Sequence, residues 1–124
     1  MSPLAKLALT FACALAATIA AELPLAFAFF HPRGNAPVRT AAVVILMNTI
    51  TNPALNLILA AVVGSFGKAV YPYAVAVGEI SVVAAEAFIL DRALDAAPRR
   101  AITASLALNA ASFAAGIVLN KIFT

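Results

Sequence analysis

Four long apolar runs alternate with short polar segments along this chain, and each run is long enough to cross a bilayer as a helix. About 20 consecutive apolar residues span a roughly 30 Å hydrocarbon core. The pattern predicts transmembrane helices over about residues 4–30, 40–63, 72–90 and 101–119. The first run exceeds what a perpendicular helix needs, and Pro24, two residues after Glu22, is expected to kink or end it. Two prolines, Gly34 and two arginines mark 31–39 as a loop; Gly64 to Lys68 forms a second turn. Pro72 suits a first helical turn, with Tyr71 and Tyr73 placed where amphipathic rings favour the membrane interface. The last loop, 91–100, holds five charges and Pro98. The expected fold is all-α: one polytopic membrane domain over 1–124, four helices in a small bundle of two hairpins.

Polar residues inside these runs carry the functional signal. A carboxyl at a helix centre costs about 2.5–3.5 kcal/mol on insertion scales, and Glu22, Glu79 and Glu86 all interrupt apolar runs. Asn48, Asn52 and Asn56 are spaced by four, giving a stripe about 80° wide on a helix. Glu79 and Glu86 fall within about 20° of each other and about 10 Å apart along the axis. Ser105, Asn109, Ser112 and Gly116 share one side of the fourth helix, and Thr18 and Glu22 one side of the first. Because lipid supplies no hydrogen-bond partner, such one-sided groups turn toward other helices or a wet cavity. A polar seam is therefore expected. Its substrate- or ion-binding set is Glu22, Glu79, Glu86, Asn48, Asn52 and Asn109, with Asn56, Ser105 and Ser112 in a secondary role. No lysine, arginine or histidine sits mid-run to neutralise the acids, so either they carry protons or a bound cation supplies the countercharge. An oxygen-only donor set suits a proton, a hard ion or an organic cation.

A short repeat links the two halves. Arg39, Asn48 and Thr51 have the spacing of Arg100, Asn109 and Ser112, and each triplet follows a glutamate-bearing helix and a polar loop. The pattern R-x8-N-x2-[T/S] is what two copies of one hairpin, related by an axis along the membrane normal, produce. Alanine ladders at Ala12, Ala16, Ala20 and at Ala107, Ala111, Ala115 permit close helix approach, and one of them is a candidate subunit contact.

Composition agrees with the pattern: 65% hydrophobic and 10% charged residues, against about 45–50% and 25% in soluble domains. The net charge of +3 does not imply nucleic acid, because the basic residues are scattered at the run edges. Lone Cys13 is expected as a small packing residue, and lone His31 lies in a loop with no partner for catalysis. No enzyme activity, metal centre or cofactor is expected. Lys6 and the alanines near Ala20 also fit a secretory signal, but apolar residues continue through Phe30, past any cleavage point. All five arginines fall in loops 31–39 and 91–100, with Lys6, Lys68 and Lys121 on the opposite side. Charge bias thus places those two loops in the cytoplasm and the chain in the cell membrane.

The four-helix plan with a glutamate in the first helix resembles the small multidrug exporters. Their tryptophan and glycine-rich third helix are missing here, so the likeness carries no residue across. The expected function is a small transporter or permeation subunit binding a proton or cation, working as a homo-oligomer in the lipid bilayer. The alternative is a non-transporting subunit that docks another membrane protein through its polar seam.

Overall fold

Proline opens or nearly opens every helix, where its missing N–H leaves no intrahelical bond unmade. In the computed structural model, which describes residues 1–123, α1 runs Pro3–Phe30, α2 Pro37–Phe66, α3 Tyr71–Leu94 and α4 Pro98–Phe123. Short 3-10 turns at His31–Arg33 and Lys68–Val70 complete the secondary structure, and no strand occurs among the described residues. Ser2 caps α1, its hydroxyl accepting from the Ala5 N–H at 3.1 Å. Gly34 and Gly67, both at φ 87°, turn the chain out of the helical path where side chains rarely follow. Asp95 closes α3 in the same left-handed region, at φ 51°.

The helices are longer than the apolar runs. Asp91–Leu94 extends α3, and the first turns of α2 and α4 absorb Pro37–Arg39 and Pro98–Arg100, so the loops shrink to 31–36 and 95–97. Charged side chains at helix ends reach water while their backbone stays helical, which hydropathy does not register. Pro24 neither ends nor interrupts α1, and α2 continues through Pro53. All four helices are long and apolar enough to cross a membrane.

The helices form a ring. α1 packs on α2 and α4, α3 packs on the same two, and the diagonal pairs barely touch. Packing is confined to one end. Ala26, Phe30, Val44, Met47, Leu90, Leu94, Ala101, Ala104 and Leu108 build a continuous core beside the arginine loops. Toward the lysine end no residue of 1–21, 52–85 or 109–122 is buried. The helices part there into two lateral clefts, one of about 830 Å³ between α1 and α4 and one of about 660 Å³ between α2 and α3. Cys13 lines the first cleft and is exposed, so it is no packing residue. Ala12, Ala16 and Ala20 are exposed, whereas Ala107, Ala111 and Ala115 are half-buried.

Two arginines hold the packed end together. Arg100 of α4 donates from Nε and Nη2 to the Phe29 carbonyl of α1, at 3.0 and 2.5 Å, and lies 5.9 Å from the Phe29 ring centre. Arg39 of α2 donates from Nη2 to the Ala93 carbonyl of α3 at 2.6 Å. Both carbonyls belong to last helical turns, which lack intrahelical donors and carry the negative end of the helix dipole. Each arginine thus ties its own hairpin to the other one. The Arg39–Asp95 ion pair, at 3.8 Å with exposed side chains, adds little.

The two ties differ in solvent access, and so in strength. Arg100→Met is expected to destabilise the fold by about 1.5–3 kcal/mol, the range for charge-assisted bonds, and Arg39→Met by about 1 kcal/mol or less. Unfolding titrations in detergent measure both. Equal losses at the two positions contradict this ranking.

Candidate functional site

Glu22 and Glu86 are each only 1% exposed, and they sit where the packed end gives way to the clefts. Eight residues separate each from its helix end, Phe30 or Leu94, a depth of about 12 Å at 1.5 Å per residue. The neighbouring helix of the same hairpin supplies an asparagine to each. Asn48 Nδ2 donates to Glu22 Oε2 at 2.5 Å, and Asn109 Nδ2 donates to Glu86 Oε2 at 2.6 Å. Both amides also donate one turn back to a backbone carbonyl, Asn48 to Val44 at 3.0 Å and Asn109 to Ser105 at 2.9 Å. A carbonyl only accepts, so this second bond fixes which amide atom points at the carboxyl.

The opposite hairpin closes each site with a hydroxyl. Thr51 Oγ1 lies 2.8 Å from Glu86 Oε1 and 3.0 Å from the Met47 carbonyl. Ser112 lies beside Glu22, and its hydroxyl donates to the Asn109 carbonyl at 3.1 Å. Glu22 Oε1 is buried without a hydrogen-bond partner. The two acids are therefore interleaved: α2 serves Glu22 through Asn48 and Glu86 through Thr51, while α4 serves Glu86 through Asn109 and Glu22 through Ser112.

Not every expected residue joins this arrangement. Asn52 does, donating from Nδ2 to Asn48 Oδ1 at 3.1 Å. Ser105 is buried and donates to the Val83 carbonyl at 2.8 Å, which ties α4 to α3 beneath the site. Asn56 is exposed and donates to the Asn52 carbonyl at 3.0 Å, away from the carboxyls. Glu79 is half-buried, makes no hydrogen bond and stands about two turns from Glu86 toward the open end. Thr51 belongs to the repeat but not to the expected binding set. Arg39 and Arg100 have the positions of boundary charges, and nothing local reveals which distant carbonyl a guanidinium reaches.

The seam contains no basic side chain. The Arg39–Asp95 pair at the loop end is the one ion pair among the described residues, which also include no group of three or more histidine, cysteine, aspartate or glutamate side chains able to hold a metal. Two acids, two amides and two hydroxyls thus form a dry, countercharge-free centre.

Coupling across the pair is measurable. A double-mutant cycle of Glu22→Ala with Asn48→Ala is expected to give about 1–2 kcal/mol of interaction, above the roughly 0.6 kcal/mol average for membrane hydrogen bonds. Glu22→Ala with Asn56→Ala should give none; coupling of similar size in both cycles refutes the assignment. Compared with known proteins, the chain matches no family model, no curated protein and no solved structure.

Proposed function

We propose that this chain is a small multi-pass transporter or permeation unit of the cell membrane, with Glu22 and Glu86 as its proton- or cation-binding groups. One observation carries the reading: two buried acids without a countercharge each lie next to a hydroxyl residue that lines a cleft. Ser112 lines the α1–α4 cleft and Thr51 the α2–α3 cleft, so each cleft ends on a hydroxyl next to one carboxyl. Acids are a costly means of joining helices, since amides and hydroxyls serve that purpose without charge. A neutralisable ligand gives the cost a purpose.

The two halves support the same reading. Glu22 and Phe29 of α1 have counterparts 64 residues on in Glu86 and Ala93 of α3, and Arg39, Asn48 and Thr51 of α2 have counterparts 61 residues on in Arg100, Asn109 and Ser112 of α4. The cleft walls correspond as well: Cys13, Ala17 and Thr18 of one match Val77, Ser81 and Val82 of the other. This is the signature of a duplicated hairpin about an axis along the membrane normal, an arrangement known among transporters. With loops 31–36 and 95–97 cytoplasmic, the clefts open to the outer side. They are also open sideways, and a homo-oligomer encloses them.

The unpacked half favours a second reading. Leu9, Phe11, Ile50, Ile58, Phe113 and Ile117 are exposed on parted helices, as in a subunit whose clefts receive helices of another membrane protein.

Reconstitution separates the two. In liposomes carrying an internal pH indicator, or loaded for sodium and potassium uptake, the protein is expected to support flux. Glu22→Gln and Glu86→Gln should each abolish it with insertion intact, and Glu79→Gln should leave it in place. Absent flux, together with loss of a co-purifying membrane protein in the same variants, supports the docking role instead.

A further inference from the structure

Each carboxyl takes an amide hydrogen on one oxygen and has a hydroxyl of the other hairpin near it, and this arrangement says what the acids hold. The hydroxyl of Thr51 has a single hydrogen and stands within bonding distance of two oxygens, the Met47 carbonyl at 3.0 Å and Glu86 Oε1 at 2.8 Å. The carbonyl has no hydrogen to give. An ionised Glu86 therefore leaves two acceptors competing for one hydrogen. With a hydrogen on Oε1 the chain closes: Glu86 donates to Thr51, and Thr51 donates to Met47.

The other half poses the same problem in a sharper form. The hydrogen of Ser112 goes to the Asn109 carbonyl, so Ser112 turns lone pairs to its surroundings, and Glu22 beside it keeps Oε1 buried with no partner. A bare anionic oxygen in a dry site costs more than any neutral unsatisfied group. A hydrogen on Oε1 makes it a donor facing a vacant acceptor.

A metal or organic cation fits poorly. Hard cations want several oxygens converging on one point. Here both asparagines aim Nδ2 hydrogens at the carboxyls, held so by the Val44 and Ser105 carbonyls, and Asn48 Oδ1 is already taken by Asn52. A cation placed between the acids faces those hydrogens. The charged groups on the packed helices offer no alternative. α1 carries Lys6 at its far end, α2 Arg39 and α4 Arg99, Arg100 and Lys121 near their ends, and α3 Asp91 and Arg92 near its end and Glu79 within the span.

We propose that Glu22 and Glu86 each carry a proton in this conformation, two per bundle, and that each donates it across the bundle to a hydroxyl of the other hairpin: Glu86 to Thr51, Glu22 to Ser112. This rests on reading the acid pair as the ligand site and selects the proton as its ligand. Each proton then has its own exit, through Thr51 into the α2–α3 cleft and through Ser112 into the α1–α4 cleft. Thr51 and Ser112 are positioning residues that set the strength of the donated bond.

Infrared spectroscopy of the full chain in lipid nanodiscs at neutral pH tests this without any transport assay. The protonated-carboxyl carbonyl band is expected to have two components, one removed by Glu22→Gln and the other by Glu86→Gln. Should a glutamine variant fold poorly, Thr51→Val and Ser112→Ala keep both acids. Thr51→Val should shift the Glu86 component alone, Ser112→Ala the Glu22 component alone, and Thr51→Ser should restore the first. Only carboxylate bands, or bands that follow added sodium or potassium, overturn the proposal. Protonated bands in a protein without flux leave it standing and remove transport; flux with carboxylate bands does the reverse.

Discussion

Two acids buried in an apolar bundle, with no basic side chain near, are the constraint from which the rest of this structure follows. Lipid and alkyl side chains offer a carboxyl nothing, so every polar group within reach is recruited to it. Asn48 and Asn109 are held by their own backbone carbonyls in the one orientation that presents hydrogens to Glu22 and Glu86. Thr51 and Ser112 approach from the opposite hairpin, Thr51 within hydrogen-bond distance of Glu86 and Ser112 beside Glu22, whose Oε1 keeps no partner. Because each acid depends on both α2 and α4, neither hairpin satisfies its own glutamate alone. The seam therefore specifies assembly as well as chemistry.

One bundle solves the same problem twice. The carboxyl–amide contact that joins α1 to α2 is made again between α3 and α4. The arginine ties recur likewise, Arg100 to the end of α1 and Arg39 to the end of α3. They close the loop end with charge-assisted bonds to carbonyls that have no other donor. Packing then divides the molecule into a tight half and an open half, with the acids at the boundary.

Much of this was legible in the pattern of residues. Four helices, their connection as hairpins and the seam through Glu22, Glu86, Asn48 and Asn109 follow from run length and one-sided polarity. The spacing shared by Arg39–Asn48–Thr51 and Arg100–Asn109–Ser112 is matched by like contacts: each arginine reaches a helix end of the other hairpin, and each asparagine a glutamate of its own. Glu79 stands apart from the pair for a physical reason. It shares a helix face with Glu86, but periodicity assigns direction, not depth, and only Glu86 lies low enough to meet α4. Asn56 drifts off its stripe in the same way, since each step of four residues rotates about 40°. Helix ends were drawn short because Asp91 to Leu94 and Pro98 to Arg100 are helical in spite of their charge.

The sequence by itself determined the four long apolar helices, since its 65% hydrophobic residues gather in four runs long enough to cross a bilayer. It also set which side chains must avoid lipid, because that depends only on residue type and helical period. What only the tertiary structure decided is who meets whom. The exchange of Thr51 and Ser112 between hairpins, the reach of each arginine to a distant carbonyl, and the parting of the helices beyond the acids all depend on depth and crossing geometry. These are properties of the packed ring, and no single helix contains them.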